Sequence, residues 1–163
     1  MFPPTTVNIA KKVIMTAQAK KCTITTAESC TAGLLIAALT EVPGSSAVVD
    51  SGFITYSNAS KVGMLGVNNK TLDDAGAVSK ETVDEMAKSA KKKSGVNIAV
   101  SLSGVAGPTG GSAEKPVGFV HFACISDKDA TYDAPIFKGD RTHIRLQAVN
   151  HALEMILEHL EKY

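Results

Sequence analysis

Three stretches of the chain, residues 22–27, 96–102 and 117–125, are rich in β-prone residues and hold no Asp, Glu, Lys or Arg. A strand with one wet face alternates apolar and polar side chains, whereas a strand covered on both faces reads as a nearly continuous apolar run. Amphipathic helical patterns interleave with these stretches. Val7, Ala10, Val13, Ile14 and Ala17 form one stripe, and residues 34–40 read as a second helix halted by Pro43-Gly44. Residues 79–94 carry Val83, Met86, Ala87 and Ala90 on one face, and a long helix over 141–162 carries Ile144, Ala148, Ala152, Met155, Ile156 and Leu160. Shorter strands are expected at 52–56 and 131–137. This order predicts the α/β class, with a largely covered sheet in a three-layer α/β/α arrangement. A length of 163 residues suits one domain over 1–163.

Charge narrows the partners. Seventeen Lys and Arg face sixteen Asp and Glu, a net charge of +1. Such a chain has no long-range field with which to gather nucleic acid or an anionic membrane surface. Aromatic residues make up 5% and Trp is missing, which removes the stacking platforms of single-strand binders. No apolar run approaches the roughly 20 residues that span a bilayer. Cys22, Cys30 and Cys124 form no C-x-x-C pair and are odd in number, so neither a metal knuckle nor a closed disulfide framework is expected. The start of the chain lacks a basic segment followed by an apolar one. The expected compartment is the cytoplasm.

Three strand-to-loop junctions gather the unusual residues, and in open α/β sheets ligands bind beyond the carboxyl ends of strands. The first is Glu28-Ser29-Cys30-Thr31-Ala32-Gly33. Ser29 there reads either as a helix N-cap or as a nucleophile, and both readings leave the N–H groups near Cys30 and Thr31 for an anion or oxyanion. The second is Thr55-Tyr56-Ser57-Asn58-Ala59-Ser60-Lys61. Lys61 reads as a solvated surface charge or, if desolvated, as a base that serves a serine with Tyr56 as its orienting partner. The third runs from Gly104 through Ala106, Gly107, Pro108 and Thr109 to Gly110 and Gly111. It matches neither G-x-x-x-x-G-K-[ST] nor G-x-G-x-x-G, and is either a tight turn or a cradle of backbone N–H donors. Arg141 and Arg145, one turn apart in the last helix, form a surface pair or a fork for a phosphate. His143, His151 and His159 are spaced by eight and His121 lies in mid-strand, a pattern that holds no metal.

Taken in order, these three segments, with Lys115-Pro116-Val117-Gly118 and Gly139-Asp140-Arg141, resemble the C-terminal domain family of CinA, which includes stand-alone nicotinamide-nucleotide amidohydrolases. The resemblance spans about residues 7 to 160. It implies a three-layer α/β/α fold and hydrolysis of the carboxamide of nicotinamide mononucleotide by a serine–lysine enzyme with no metal and no cofactor. Carried over, Ser29 is the nucleophile, Lys61 the base and Tyr56 the accompanying tyrosine, hydrogen-bonding Lys61 or the substrate. Cys30, Thr31, Gly33, Arg141, Arg145 and the loop residues named above would bind the nucleotide. Ala32 stands where the family often has glycine, and Ser103 where it often has threonine. Two rivals stand beside this expectation: a non-catalytic nucleotide-binding or regulatory module of the competence- and damage-inducible type, and a cysteine hydrolase using Cys30. The expected partner is a small nucleotide, not nucleic acid or membrane; self-association into a homo-oligomer is left open.

Overall fold

A computed structural model describes residues 1–163. Six α-helices surround one mixed five-stranded sheet: α1 (Pro4–Lys20), β1 (Ile24–Glu28), α2 (Leu34–Thr40), β2 (Val49–Ile54), α3 (Asn58–Leu65), α4 (Asn69–Asp74), α5 (Lys80–Ser94), β3 (Ile98–Gly104), β4 (Val120–Ser126), β5 (Ala130–Asp133) and α6 (Arg141–Glu161). The strand order is β2-β1-β3-β4-β5. β1 pairs in parallel with β2 and β3, while β4 and β5 add antiparallel. The expected α/β class and three layers are observed.

The apolar runs explain the layering. β1 is buried at every position and β3 at all but its last, because helices cover both faces. On one face Ile14 of α1, Leu35 and Leu39 of α2 and Ile144, Leu153 and Ile156 of α6 pack on Ile98, Val100, Leu102 and Phe122. On the other, Met86 and Ala90 of α5 meet Ala27 and Ala99, and Val83 and Ala87 meet Ala123 and Ile125. Each fully buried Leu, Ile or Met contributes about 1.5–3 kcal/mol by leaving water.

Local chemistry moved several expected boundaries. Residues 117–119 do not begin β4; they turn back on the third junction, with Gly118 N–H donating to the Val105 carbonyl and Val105 N–H to that of Phe119. β5 stops at Asp133 instead of reaching Phe137, because Pro135 has no N–H for the ladder; only an isolated bridge, Phe119 to Ile136, follows. β2 starts at Val49 and ends at Ile54, earlier than expected. Lys61 lies on a helix, α3, and not in a loop. That helix is only eight residues long and is started by a reciprocal cap, the Ser57 hydroxyl accepting from Ser60 N–H while Ser57 N–H donates to the Ser60 hydroxyl.

β1 connects to β2 through α2 on one face, and β2 connects to β3 through α3–α5 on the other. The connections therefore diverge at the carboxyl ends of β1 and β3, the place where an open α/β sheet opens a crevice. All three junctions meet there, since Glu28 is in register with Ile54 and with Leu102.

Candidate active site

The crevice is a cavity of about 270 Å³ lined by Ser29, Cys30, Tyr56, Lys61, Ala77, Val78, Ser103, Gly104, Ala106 and Arg141. Each of the three parallel strands delivers one wall. Ser29 directly follows β1, and its N–H is fixed to the Leu102 carbonyl at 3.1 Å. Thr55 follows β2 and leads into α3, whose first turn carries Lys61 inward. Ser103 and Gly104 end β3. A larger depression of about 380 Å³ between Lys88, Lys91, Lys92 and Asp127 lies at the opposite end of the sheet and is lined by no Ser, Thr, Cys or His.

Lys61 is 1% exposed, among the largest fully buried side chains of the molecule. Its Nζ lies 2.9 Å from Ser29 Oγ and 2.8 Å from the Thr55 carbonyl oxygen. No carboxylate pairs with it. Burial therefore acts on the ammonium nearly unopposed, and lowers the group from the ordinary lysine value of 10.5 to about 8; the nearby Cys30 pulls weakly the other way. A neutral amine at this place directs its lone pair at the Ser29 hydroxyl while one N–H stays on Thr55. That is the geometry of a general base beside an oxygen nucleophile.

The N-cap reading of Ser29 does not hold. α2 begins five residues later, after a turn in which Ala32 and Gly33 both take positive φ, 49° and 94°. The frequent glycine at position 32 in the resembling family thus has a backbone reason, since a Cβ is strained there. The helix start is capped by a carboxylate instead: Glu28, 0% exposed, accepts from the N–H groups of Gly33, Leu35 and Ile36 at 2.9, 3.1 and 2.9 Å. The Thr31 and Thr26 hydroxyls also donate to it, at 2.7 and 3.2 Å. The N–H groups of Cys30 and Thr31 donate to no other residue.

The remaining candidates separate. Cys30, Gly104, Ala106 and Arg141 line the cavity as expected. Thr31 and Gly33 face Glu28, not the cavity. Gly107 donates no group to the cavity but offers its carbonyl to Arg141, and Pro108, Thr109, Gly110 and Gly111 are exposed beyond the rim. At Gly104 only glycine fits, because a Cβ would stand 2.6 Å from Val120 Cγ2 and 2.7 Å from the Phe119 carbonyl. Tyr56, 60% exposed, is not bonded to Lys61; its hydroxyl accepts from Arg141 Nη2 at 3.2 Å, while Arg141 Nη1 donates to the Gly107 carbonyl at 2.7 Å. Arg145 is spent on the chain itself, Nε and Nη2 donating to the carbonyls of Cys30 and Thr31 at 3.0 and 2.7 Å. Burial pushes the Cys30 thiol up to about 11, and no histidine lines the cavity, an environment opposite to that of a nucleophilic thiolate.

Sequence reasoning missed Ser103, Ala77, Val78 and the Thr55 carbonyl. Ser103 sits beside Gly104 in the third motif, so its position was a usable signal. Ala77 and Val78 belong to a short connection before α5 with no motif, and a carbonyl partner leaves no trace in a side-chain pattern.

Comparison with known proteins identifies the family. The CinA C-terminal domain family matches residues 6–160. The chain is 48% identical over 146 residues to the nicotinamide-nucleotide amidohydrolase PncC of Enterobacter agglomerans, covering 89% of each chain. It is 44% identical over 149 residues to PncC of Escherichia coli strain K12, covering 91% of this chain and 90% of that one. The crystal structure of the competence/damage inducible protein CihA from Agrobacterium tumefaciens superposes with a TM-score of 0.95 at 46% identity, over 99% of this chain and 98% of that chain. With a family model matched over residues 6–160 and relatives at 44–48% identity over about nine-tenths of both chains, the chain belongs to the CinA C-terminal domain family.

Proposed function

We propose that this chain, as a single domain over 1–163, is an amidohydrolase that converts nicotinamide mononucleotide to nicotinic acid mononucleotide and ammonia. The observation that carries the reading is a fully buried lysine amine, without an acidic partner, 2.9 Å from the serine at the cavity wall. The names of the PncC relatives support the substrate.

Neutral Lys61 accepts the Ser29 proton as Oγ forms a bond to the carboxamide carbon. The tetrahedral oxyanion takes hydrogen bonds from the Cys30 N–H and the N–H of Ala106, which donates to no backbone carbonyl. Protonated Lys61 returns the proton to nitrogen as the C–N bond breaks, releasing ammonia and leaving an ester on Ser29. Water then adds to the ester carbon with its proton passing to Lys61, and the Ser29 oxygen leaves with that proton. Throughout, the Thr55 carbonyl keeps the amine aimed. With burial lowering the base to about 8, neutral amine is available near neutral pH and its share grows as pH rises.

Tyr56 and Arg141 form the outer wall. Arg141 has donors left for a 5′-phosphate beyond the two it gives to Gly107 and Tyr56, and Tyr56 presents an open ring face to the nucleotide. The test is ammonia release from nicotinamide mononucleotide by the wild type and by Ser29→Ala and Cys30→Ala. The reading expects loss in the serine variant and retention in the cysteine variant; wild-type turnover by Ser29→Ala sinks it.

A further inference from the structure

We infer that Glu28 is the positioning residue of this site, a buried carboxylate that holds the nucleophile turn rigid without touching the substrate. It is the one buried acidic group beside the site that the proposed chemistry does not use. One oxygen accepts from Thr31 Oγ1 and the N–H groups of Gly33 and Leu35, and the other from Thr26 Oγ1 and the Ile36 N–H. The five donors come from both ends of the segment that contains Ser29. The carboxylate therefore ties the strand before Ser29 to the helix after it and closes the turn on itself.

Its main chain extends the same tie to the base. The Glu28 carbonyl accepts from Thr55 N–H at 2.8 Å, and the Thr55 carbonyl accepts from Lys61 Nζ. One residue thus anchors both partners of the Ser29–Lys61 contact, the serine through its side chain and the lysine through its backbone. The carboxylate also occupies the positive end of α2. A substrate anion finds that end already neutralised, and the donors left in the turn are the N–H groups of Cys30 and Thr31. A small misplacement of reacting atoms costs large factors in rate, so the turn's rigidity belongs to the rate and not to affinity.

The inference rests on Ser29 being the nucleophile, and its test reads Ser29 without the nucleotide. A fluorophosphonate probe is reacted with the folded wild type and Glu28→Gln at pH 9, where Lys61 is mainly neutral, and the modified residue is located by mass spectrometry. Gln keeps the shape but sets an NH₂ where an acceptor oxygen stood. Labelling of Ser29 should slow about tenfold or more, and kcat on nicotinamide mononucleotide should fall by a similar factor with KM unchanged. Labelling and kcat within about twofold of wild type in folded Glu28→Gln overturn the inference. If Glu28→Gln does not fold, Thr31→Val carries the test: labelling slowed about threefold or more supports it, and unchanged labelling overturns it. Failure of the wild type to label at Ser29 removes the nucleophile assignment itself, and this inference with it.

Discussion

Two buried charges face the same junction, and the protein treats them oppositely. Glu28 is 0% exposed and accepts five hydrogen bonds, three of them from the open end of α2. Lys61 is 1% exposed and has two partners, a neutral hydroxyl and one carbonyl. A carboxylate so fully solvated by the chain is a stable structural element. An ammonium that has lost water and gained little in return is held in a poor state for its charge, and it titrates low as a result. Burial of a charge does not by itself mark a working group; incomplete compensation does.

Breaking the lysine side should have the largest effect. Lys61→Met should lower kcat for ammonia release by about 10³-fold or more, since it removes the base and its proton return. Lys61→Arg should fail equally, because a guanidinium does not deprotonate in this range. Steady-state assays of both decide whether the site needs a base or only a positive charge, and an active Lys61→Arg breaks the comparison.

The same contrast makes a stability prediction with a definite sign. Lys61 is lowered in the folded state, so below about 8 folded and unfolded chains are both protonated and the full cost of burying the ammonium is present. Between about 8 and 10.5 the native lysine sheds its proton first, and stability contributed by this site rises with pH. The gap amounts to about 3 kcal/mol. Lys61→Met should therefore gain on the wild type most at pH 7, with the difference in unfolding free energy shrinking by about that amount by pH 10.5; the Thr55 carbonyl that it orphans shifts the comparison equally at every pH. Chemical denaturation across that range checks the slope.

Arg141 lies between the two extremes, partly exposed and partly committed to Gly107 and Tyr56. Arg141→Ala should raise KM for the nucleotide by about 2 kcal/mol, roughly 30-fold, and affect the phosphate-free riboside little. Equal losses on both compounds would assign Arg141 to the wall and not to the phosphate. The smallest effect belongs to the turn that Glu28 holds. Ala32→Gly relieves a positive φ costing about 1–2 kcal/mol but loosens the unfolded chain by about 0.4–1 kcal/mol. A net gain of about 0.5 kcal/mol is expected by thermal unfolding.

The layers and the three junctions were legible because long apolar runs and amphipathic stripes report burial directly. The helix that carries Lys61 was not. Asn58–Leu65 is short, lacks a continuous apolar stripe, and is begun by two serines whose reciprocal cap looks like loop chemistry in a linear reading. Ser29 and Lys61 were named as a pair, but their contact joins positions 32 apart and depends on the register of β1 with β2. The hydrogen-bond partners of Tyr56 and Arg145 were hidden for a related reason. Residue type announced that each had polar groups to pair, but their partners, the Arg141 donor for Tyr56 and the carbonyls of Cys30 and Thr31 for Arg145, come within reach only once α6 has packed across the turn. Nothing in the linear sequence marks Glu28 as a cap, because the helix end whose N–H groups it accepts from is brought to it only by the fold.

Lys61 is buried with only a hydroxyl and one carbonyl to compensate its charge, and so is poised to act as a neutral base. Its titration can be read from the chemical shift of the ¹³C-labelled ε-methylene, assigned by comparison with Lys61→Met. A midpoint near 8, well separated from the other lysines and coincident with the rise of kcat/KM with pH, is the result predicted here. A midpoint at the ordinary value of 10.5 would contradict it.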